Sequence, residues 1–140
     1  MIPKFRAWHK ELKIIRDVYE IDWEAQCVMV WLYPESEHAD LGWDVDVRGQ
    51  WIFDENFELL QWTGLQDIDG KDIYLHDILS LDADNILKFK VGWDIETAAF
   101  QLQTLEGSRV SGFYFSAIGA CPTRILGNIY ENPELLQCST

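Results

Sequence analysis

The chain has 140 residues, of which 48% are hydrophobic and 14% aromatic, and its 24 acidic and 11 basic residues give a formal net charge of -13. This length and composition exclude a disordered chain and predict a single domain over residues 1–140. The negative charge opposes contact with nucleic-acid phosphates and with acidic membranes, so neither is expected as a partner. The longest apolar runs are too short to cross a bilayer, and no apolar stretch of a signal peptide follows the first residues, so we expect a cytosolic protein.

The first predicted elements form a hairpin. Residues 14–19 and 26–33 are β-branched and aromatic runs that flank the polar segment 22–25. The second run is apolar on both faces, which is typical of a central strand. Cys27 lies in this run and is interpreted as a small core residue.

Short strands separated by turn residues continue along the chain. Residues 34–41 are predicted to form a surface loop, and Asp69 and Gly70 are a strong turn signal. Asn132 and Pro133 favour the start of a short C-terminal helix over residues 132–137. The pattern therefore predicts a mainly β fold, a small antiparallel barrel-like (SH3-like) or sandwich domain with an N-terminal hairpin and a short C-terminal helix. The further strands are predicted at residues 51–53, 59–62, 78–81, 86–91, 98–105 and 112–117.

Motifs for metal binding or catalysis are missing from the sequence. The three cysteines are widely spaced, which argues against a disulfide framework and a zinc site, and the three histidines occur singly. The segment 67–72 (DIDGKD) resembles part of a calcium loop, but Leu65 and His76 would stand where carboxylates are required. No nucleophile elbow or phosphate-binding loop is present. We therefore expect no metal, no cofactor and no enzymatic activity.

Charge is distributed unevenly along the chain. Residues 17–58 contain twelve acidic residues and one basic residue, Arg48, whereas five of the eleven basic residues precede this block. This asymmetry is compatible with head-to-tail contact between copies. The alternative interpretation is a solvated acidic face that keeps the protein soluble.

Seven tryptophans exceed what a core of this size needs. Trp43 and Trp51 flank Arg48 in a polar segment, an arrangement that can stack a base and contact a phosphate. The alternative places these rings in the core or in a subunit interface, because Asp44 and Asp46 would oppose an anion.

Three segments resemble the YopX protein family of phages and prophages. They are KFRAW at residues 4–8, LLQWTGLQDIDGKDIYLHDIL at residues 59–79 and ILGNIYENPELL at residues 125–136. The resemblance implies a small phage-encoded accessory protein that is β-rich and oligomeric, and it transfers no catalytic residue. His76 stands where the family commonly has glycine; if that glycine has a positive φ in relatives, His76 must tolerate it or the turn must differ. The shared motifs have structural explanations, such as Asp77 capping a tight turn.

The leading functional hypothesis is a non-enzymatic homo-oligomer that binds a host target. It would act as a counter-defence inhibitor of a host protein or would sequester a small nucleotide signal, with Arg6, Arg48 or Arg109 lining a pocket between subunits. A second hypothesis is an acidic DNA mimic that presents Asp40, Asp44 and Asp46 to a nucleic-acid-binding host protein. A structural scaffold is the third hypothesis, and an enzyme is the last.

Overall fold

The computed structural model describes residues 2–31, 50–53, 56–82, 87–108, 110, 118 and 121–136, with residues 50–53 described as backbone. The chain divides into two compact units, an N-terminal unit of Ile2–Gln61 and a C-terminal unit of Trp62–Thr140. Each unit is built from antiparallel strands.

The N-terminal unit is a sheet of antiparallel neighbours in the order β4-β3-β2-β1-β5. The β2–β3 hairpin confirms the predicted one, and β3 is central, between β2 and β4, as its two apolar faces indicate. Ala7, Val28 and Val30 form the buried core, with Phe57 and Leu59 packed against it. The strands are β1 (Phe5–His9), β2 (Ile14–Asp22), β3 (Cys27–Val30), β4 (Gln50–Phe53) and the first half of β5 (Phe57–Gln66).

The C-terminal unit contains the second half of β5, which pairs with β6, and a four-stranded sheet in the order β10-β7-β8-β9. Its core is a cluster of aliphatic side chains that are at most 2% exposed, namely Ile73, Leu79, Val91, Leu102 and Ile118. The strands are β6 (Asp72–Tyr74), β7 (Asp77–Ser80), β8 (Lys88–Asp94), β9 (Ala99–Gln103) and β10 (Arg124–Asn128).

Buried carboxylates organise the central motif of the C-terminal unit. Asp67 Oδ1 accepts hydrogen bonds from the N–H groups of Asp69 and Lys71, both at 2.9 Å, and its Oδ2 accepts one from Ile125 N–H at 3.1 Å. Asp77 Oδ2 accepts a hydrogen bond from Tyr74 N–H at 2.8 Å, which confirms that Asp77 caps the turn. His76 lies in this turn with a φ of 71°, so it adopts the left-handed backbone conformation that histidine tolerates better than most non-glycine residues. Both carboxylates are therefore engaged in holding the backbone.

The prediction of a mainly β fold is confirmed, and neither sheet closes into a barrel within the described residues. The C-terminal helix is a single 3₁₀ turn, Pro133–Leu136, which is shorter than the predicted range. The side chain of Asn132 turns back, so that its Oδ1 accepts a hydrogen bond from Asn128 N–H at 3.2 Å. The predicted loop 34–41 and strand 112–117 lie outside the described residues.

Candidate functional site

A pocket opens beside the β2–β3 turn of the N-terminal unit. It is lined by residues 21–23 and 26–28 of the hairpin and by Phe57 and Leu59 of β5, and its volume is about 250 Å³. We call it the hairpin pocket. Most of its lining side chains are apolar, and a cavity of roughly 150 Å³ with such a lining already accepts a benzene-sized group. The hairpin pocket is therefore large enough for an apolar side chain or a small apolar ligand.

The turn at the rim of the hairpin pocket is held by the side chain of Asp22. Asp22 Oδ1 accepts hydrogen bonds from the N–H groups of Glu24 at 3.1 Å and Ala25 at 2.9 Å, the local pattern that Asp commonly forms in turns. This turn carries Trp23, whose surface is 73% exposed. A large exposed aromatic ring on an ordered turn suits recognition, because little conformational entropy is lost on binding.

The electrostatic environment of the hairpin pocket is negative. Burial raises the pKa of the Cys27 thiol above its ordinary value, and the carboxylates of Asp22 and Glu20 raise it further. Cys27 is 6% exposed, which confirms its assignment to the core. The same field favours a cationic group at the rim and opposes the phosphates of a nucleotide.

A second candidate surface is the tip of the β8–β9 hairpin in the C-terminal unit, residues 93–97, which we call the β8–β9 tip. Trp93 pairs with Phe100 across the strands, and their rings meet edge to face with centroids 5.1 Å apart. Trp93 is still 47% exposed, and Ile95 is 85% exposed. Asp94 holds the turn, because its carboxylate accepts hydrogen bonds from Glu96 N–H at 3.0 Å and Thr97 Oγ1–H at 2.8 Å.

Of the site residues predicted from the sequence, Arg6 and Trp51 are among the described residues. Arg6 lies on β1, where its Nε is 3.3 Å from Asp17 Oδ1 on β2, and it does not line the hairpin pocket. Trp51 lies in β4 opposite Met29, with the backbone alone described. The remaining predicted residues, Asp40, Trp43, Asp44, Asp46, Arg48 and Arg109, lie outside the described residues.

The described tryptophans divide into two groups. Trp31 contacts Tyr19 with the ring planes tilted by 49° and the centroids 4.8 Å apart, and Trp62 donates its Nε1–H to Leu65 O at 3.1 Å. Like Trp8, both are partly buried. Trp23 and Trp93 are the most exposed tryptophans among the described side chains.

Sequence reasoning missed the hairpin pocket because its walls come from segments about thirty residues apart. Phe57 and Leu59 occupy alternate positions on β5, which predicts that they share a face but not what that face meets. The available signal was the exposed turn 22–25, which places Trp23 between two acidic residues.

Across the part of the chain that the structure describes, no cluster of three or more His, Cys, Asp or Glu residues is placed to hold a metal ion. Both carboxylate oxygens of Asp67 accept backbone hydrogen bonds, which explains the calcium-like string as a structural turn. Within the same residues, no helix has the length and apolar character needed to span a membrane.

The described residues form a small β-sheet protein that has two antiparallel sheets, a pocket with an acidic rim and an exposed aromatic tip. The chain belongs to the YopX family, because the family model described as YopX protein matches residues 4–137. A crystal structure of protein EF1440 from Enterococcus faecalis is similar in fold, with a TM-score of 0.66 and 21% identity over 98% of this chain and 99% of that chain. No curated protein matches the chain at a significant level.

Proposed function

We propose that this protein is a non-enzymatic, oligomeric phage accessory protein that binds and inhibits a host protein in the bacterial cytoplasm. Membership of the YopX family supports the phage context. The observation that carries the proposal is the β8–β9 tip, where Trp93 and Ile95 are exposed together on an ordered turn. Tryptophan is among the residues most enriched in the energetic centres of protein interfaces.

The β8–β9 tip is preorganised for contact with a protein. Phe100 holds the ring of Trp93 from one side, and the hydrogen bonds of Asp94 fix the turn that carries Ile95. Single exposed apolar residues are common on protein surfaces, but two neighbouring large ones on a rigid turn form an anchor that a complementary groove can cover. The entropy lost when such an anchor is buried is small.

Charge favours a protein target over a nucleotide signal. Glu20 and Asp22 make the hairpin pocket negative, which disfavours phosphate there. Arg6 has an acidic neighbour in Asp17, so its charge is already partly compensated. The proposal therefore takes the host-protein form of the binding hypothesis, in which the protein acts stoichiometrically.

The test uses affinity purification of the tagged 140-residue protein from a bacterial host, with the retained proteins quantified by mass spectrometry. The test variant is Trp93→Ser with Ile95→Ser, and the matched control is Leu87→Ser, which replaces another exposed apolar residue, one that is 53% exposed, next to the other end of β8. We expect wild type and Leu87→Ser to retain one host protein in near-equimolar amount and the double variant to lose it. Equal retention by all three would reject the β8–β9 tip as the binding surface.

The non-enzymatic part has a separate test. A purified target should be inhibited in proportion to the amount of added protein, with saturation near a fixed ratio of the two chains. Complete inhibition by a trace amount would instead indicate turnover and would overturn the assignment as a stoichiometric inhibitor.

A further inference from the structure

The turn between β1 and β2, residues 10–13, presents an apolar side chain between two cations. Leu12 is 56% exposed, and the exposed residues Lys10 and Lys13 stand on either side of it in the chain. Glu11 offsets one of the two positive charges. We call these four residues the basic turn.

The basic turn is held in one conformation by the buried residue His9. Leu12 N–H donates a hydrogen bond to His9 Nδ1 at 3.1 Å, and Lys13 N–H donates one to His9 O at 2.8 Å. Lys10 N–H donates to Asn56 O at 2.8 Å. Since the turn is already ordered, presenting Leu12 to a partner costs little additional conformational entropy.

The hairpin pocket has the complementary properties. Its interior is apolar, and the described residues 20–30 beside it carry three acidic side chains, Glu20, Asp22 and Glu24, with no basic residue among them. Glu20 and Glu24 are exposed, so their charges reach solvent. An exposed apolar side chain between two lysines therefore complements, in polarity and in charge, an apolar pocket that is lined by Asp22 and adjoins an acidic segment of the chain.

We infer that copies of this protein associate head to tail, with the basic turn of one copy seated in the hairpin pocket of the next. Leu12 enters the cavity, where it contacts the apolar walls, and Lys10 and Lys13 lie near Glu20 and Glu24 at the rim. The inference rests on the oligomeric part of the proposed function and assigns the surfaces that form the oligomer. When each copy gives its basic turn to one neighbour and its hairpin pocket to another, the contact is heterologous and produces closed rings or open chains.

A charge-reversal experiment tests the contact directly. One variant carries Lys10→Glu and Lys13→Glu, and the other carries Glu20→Lys and Glu24→Lys. Asp22 is left unchanged because it caps the hairpin turn. Sedimentation velocity is measured for wild type, for each variant alone and for their equimolar mixture, and circular dichroism verifies that each variant is folded.

The expected pattern is specific to this contact. Wild type forms oligomers, and each variant alone associates at least about tenfold more weakly, because its two surfaces now carry the same sign. The mixture regains association, since the reversed turn of one variant faces the reversed pocket of the other. High salt weakens association of both wild type and the mixture.

The outcomes separate failure of the inference from failure of the proposed function. If wild type is oligomeric and neither reversal alters its size, the assignment of surfaces is overturned while the oligomer stands. If wild type is monomeric at all concentrations, the inference and the oligomeric part of the proposed function fail together. Folded variants that weaken alone but do not recover in the mixture also overturn the inference, because the two surfaces then do not meet.

The apolar part of the contact is tested with Leu12→Asp, and the matched control is Ile68→Asp, at a residue of the C-terminal unit that is 59% exposed. Cys27 lines the hairpin pocket, so its labelling by a small thiol reagent reports occupancy when Cys121 and Cys138 are replaced by serine. In the protein with these two serine replacements, labelling of Cys27 should slow as the protein concentration rises. Adding Leu12→Asp should abolish this protection, whereas adding Ile68→Asp should preserve it. Equal protection in both variants would remove Leu12 from the contact.

Discussion

Substitution of Asp67, which accepts three hydrogen bonds, is the most direct test of how the central motif of the C-terminal unit is stabilised. Asp67 is 7% exposed, and it joins the turn 67–71 to β10 through Ile125, which is 58 positions away in the chain. Replacing Asp67 with alanine removes both acceptor oxygens and leaves three N–H groups to find other partners. We expect this substitution to destabilise the C-terminal unit.

The magnitude follows from where the three donors lie. Hydrogen bonds to charged groups contribute about 1.5–3 kcal/mol each when water cannot replace them. Asp69 and Lys71 are exposed, so water can satisfy their N–H groups, and each loss costs about 0.5–1 kcal/mol. Ile125 is partly buried within β10, and its loss costs about 2 kcal/mol. The expected total for Asp67→Ala is about 3–4 kcal/mol.

Asp67→Asn separates the contributions. Its single carbonyl oxygen can keep the two bonds within the turn, whereas its amide group then faces Ile125 N–H, so the expected cost is about 2 kcal/mol. The matched control is Asp69→Asn, which makes the same chemical change in the same turn. Asp69 forms an ion pair with Arg124 at 3.3 Å, with both side chains 50% exposed, so its loss should cost no more than about 1 kcal/mol.

Urea denaturation followed by circular dichroism measures these differences, with an unchanged m-value as the condition for comparing midpoints. We expect the order of stability to be wild type, Asp69→Asn, Asp67→Asn and then Asp67→Ala. A cost below about 1 kcal/mol for Asp67→Ala would refute the reasoning, since it would mean that the three bonds contribute no more than a surface ion pair.

Three further predictions follow from local geometry. His76→Gly should change stability by less than about 1 kcal/mol, because relief of the positive φ is offset by a more flexible unfolded chain and by loss of the ring contact with Tyr130. His76→Val should destabilise the protein by about 1–2 kcal/mol, because a β-branched residue is strained at this positive φ. Thermal denaturation measures both changes. Gly127→Ala should cost about 1–2 kcal/mol, because the added Cβ meets the side chain of Asn132 and displaces it; a neutral result in urea denaturation would contradict this. The pKa of the Cys27 thiol is raised in the folded protein above its ordinary value of 9.0, so the unfolded chain loses the thiol proton first as the pH rises past 9.0. The free energy of unfolding of wild type should therefore fall above this pH. The urea midpoints of Cys27→Ala should lack this part of the decline.

Local patterns were sufficient for many elements of the fold. The alternation and polar centre of residues 14–33 predicted the β2–β3 hairpin, because turn chemistry and the two-residue period of a strand act between near neighbours. The apolar faces of residues 26–33 also predicted that β3 is central. The strand β1 was not predicted, since its polar residues conceal that Ala7 and His9 are buried.

The candidate surfaces were only partly visible in the sequence. The excess of tryptophan indicated interaction, but composition does not distinguish the exposed Trp23 and Trp93 from the partly buried Trp31 and Trp62. That distinction depends on which face of a strand or turn meets a neighbour. The arginines chosen from sequence were selected by charge, and the described one, Arg6, is paired with Asp17.

The sequence by itself determined the class of strand-rich fold, the family and the positions of the principal turns, because these depend on residue type and short-range spacing. The tertiary structure alone decided that Phe57 and Leu59 line a pocket together with the distant β2–β3 hairpin. It also decided that the Asp67 carboxylate accepts a hydrogen bond from Ile125 N–H. Such contacts join segments far apart in the chain, and their formation depends on how strands pair and pack after the local elements exist.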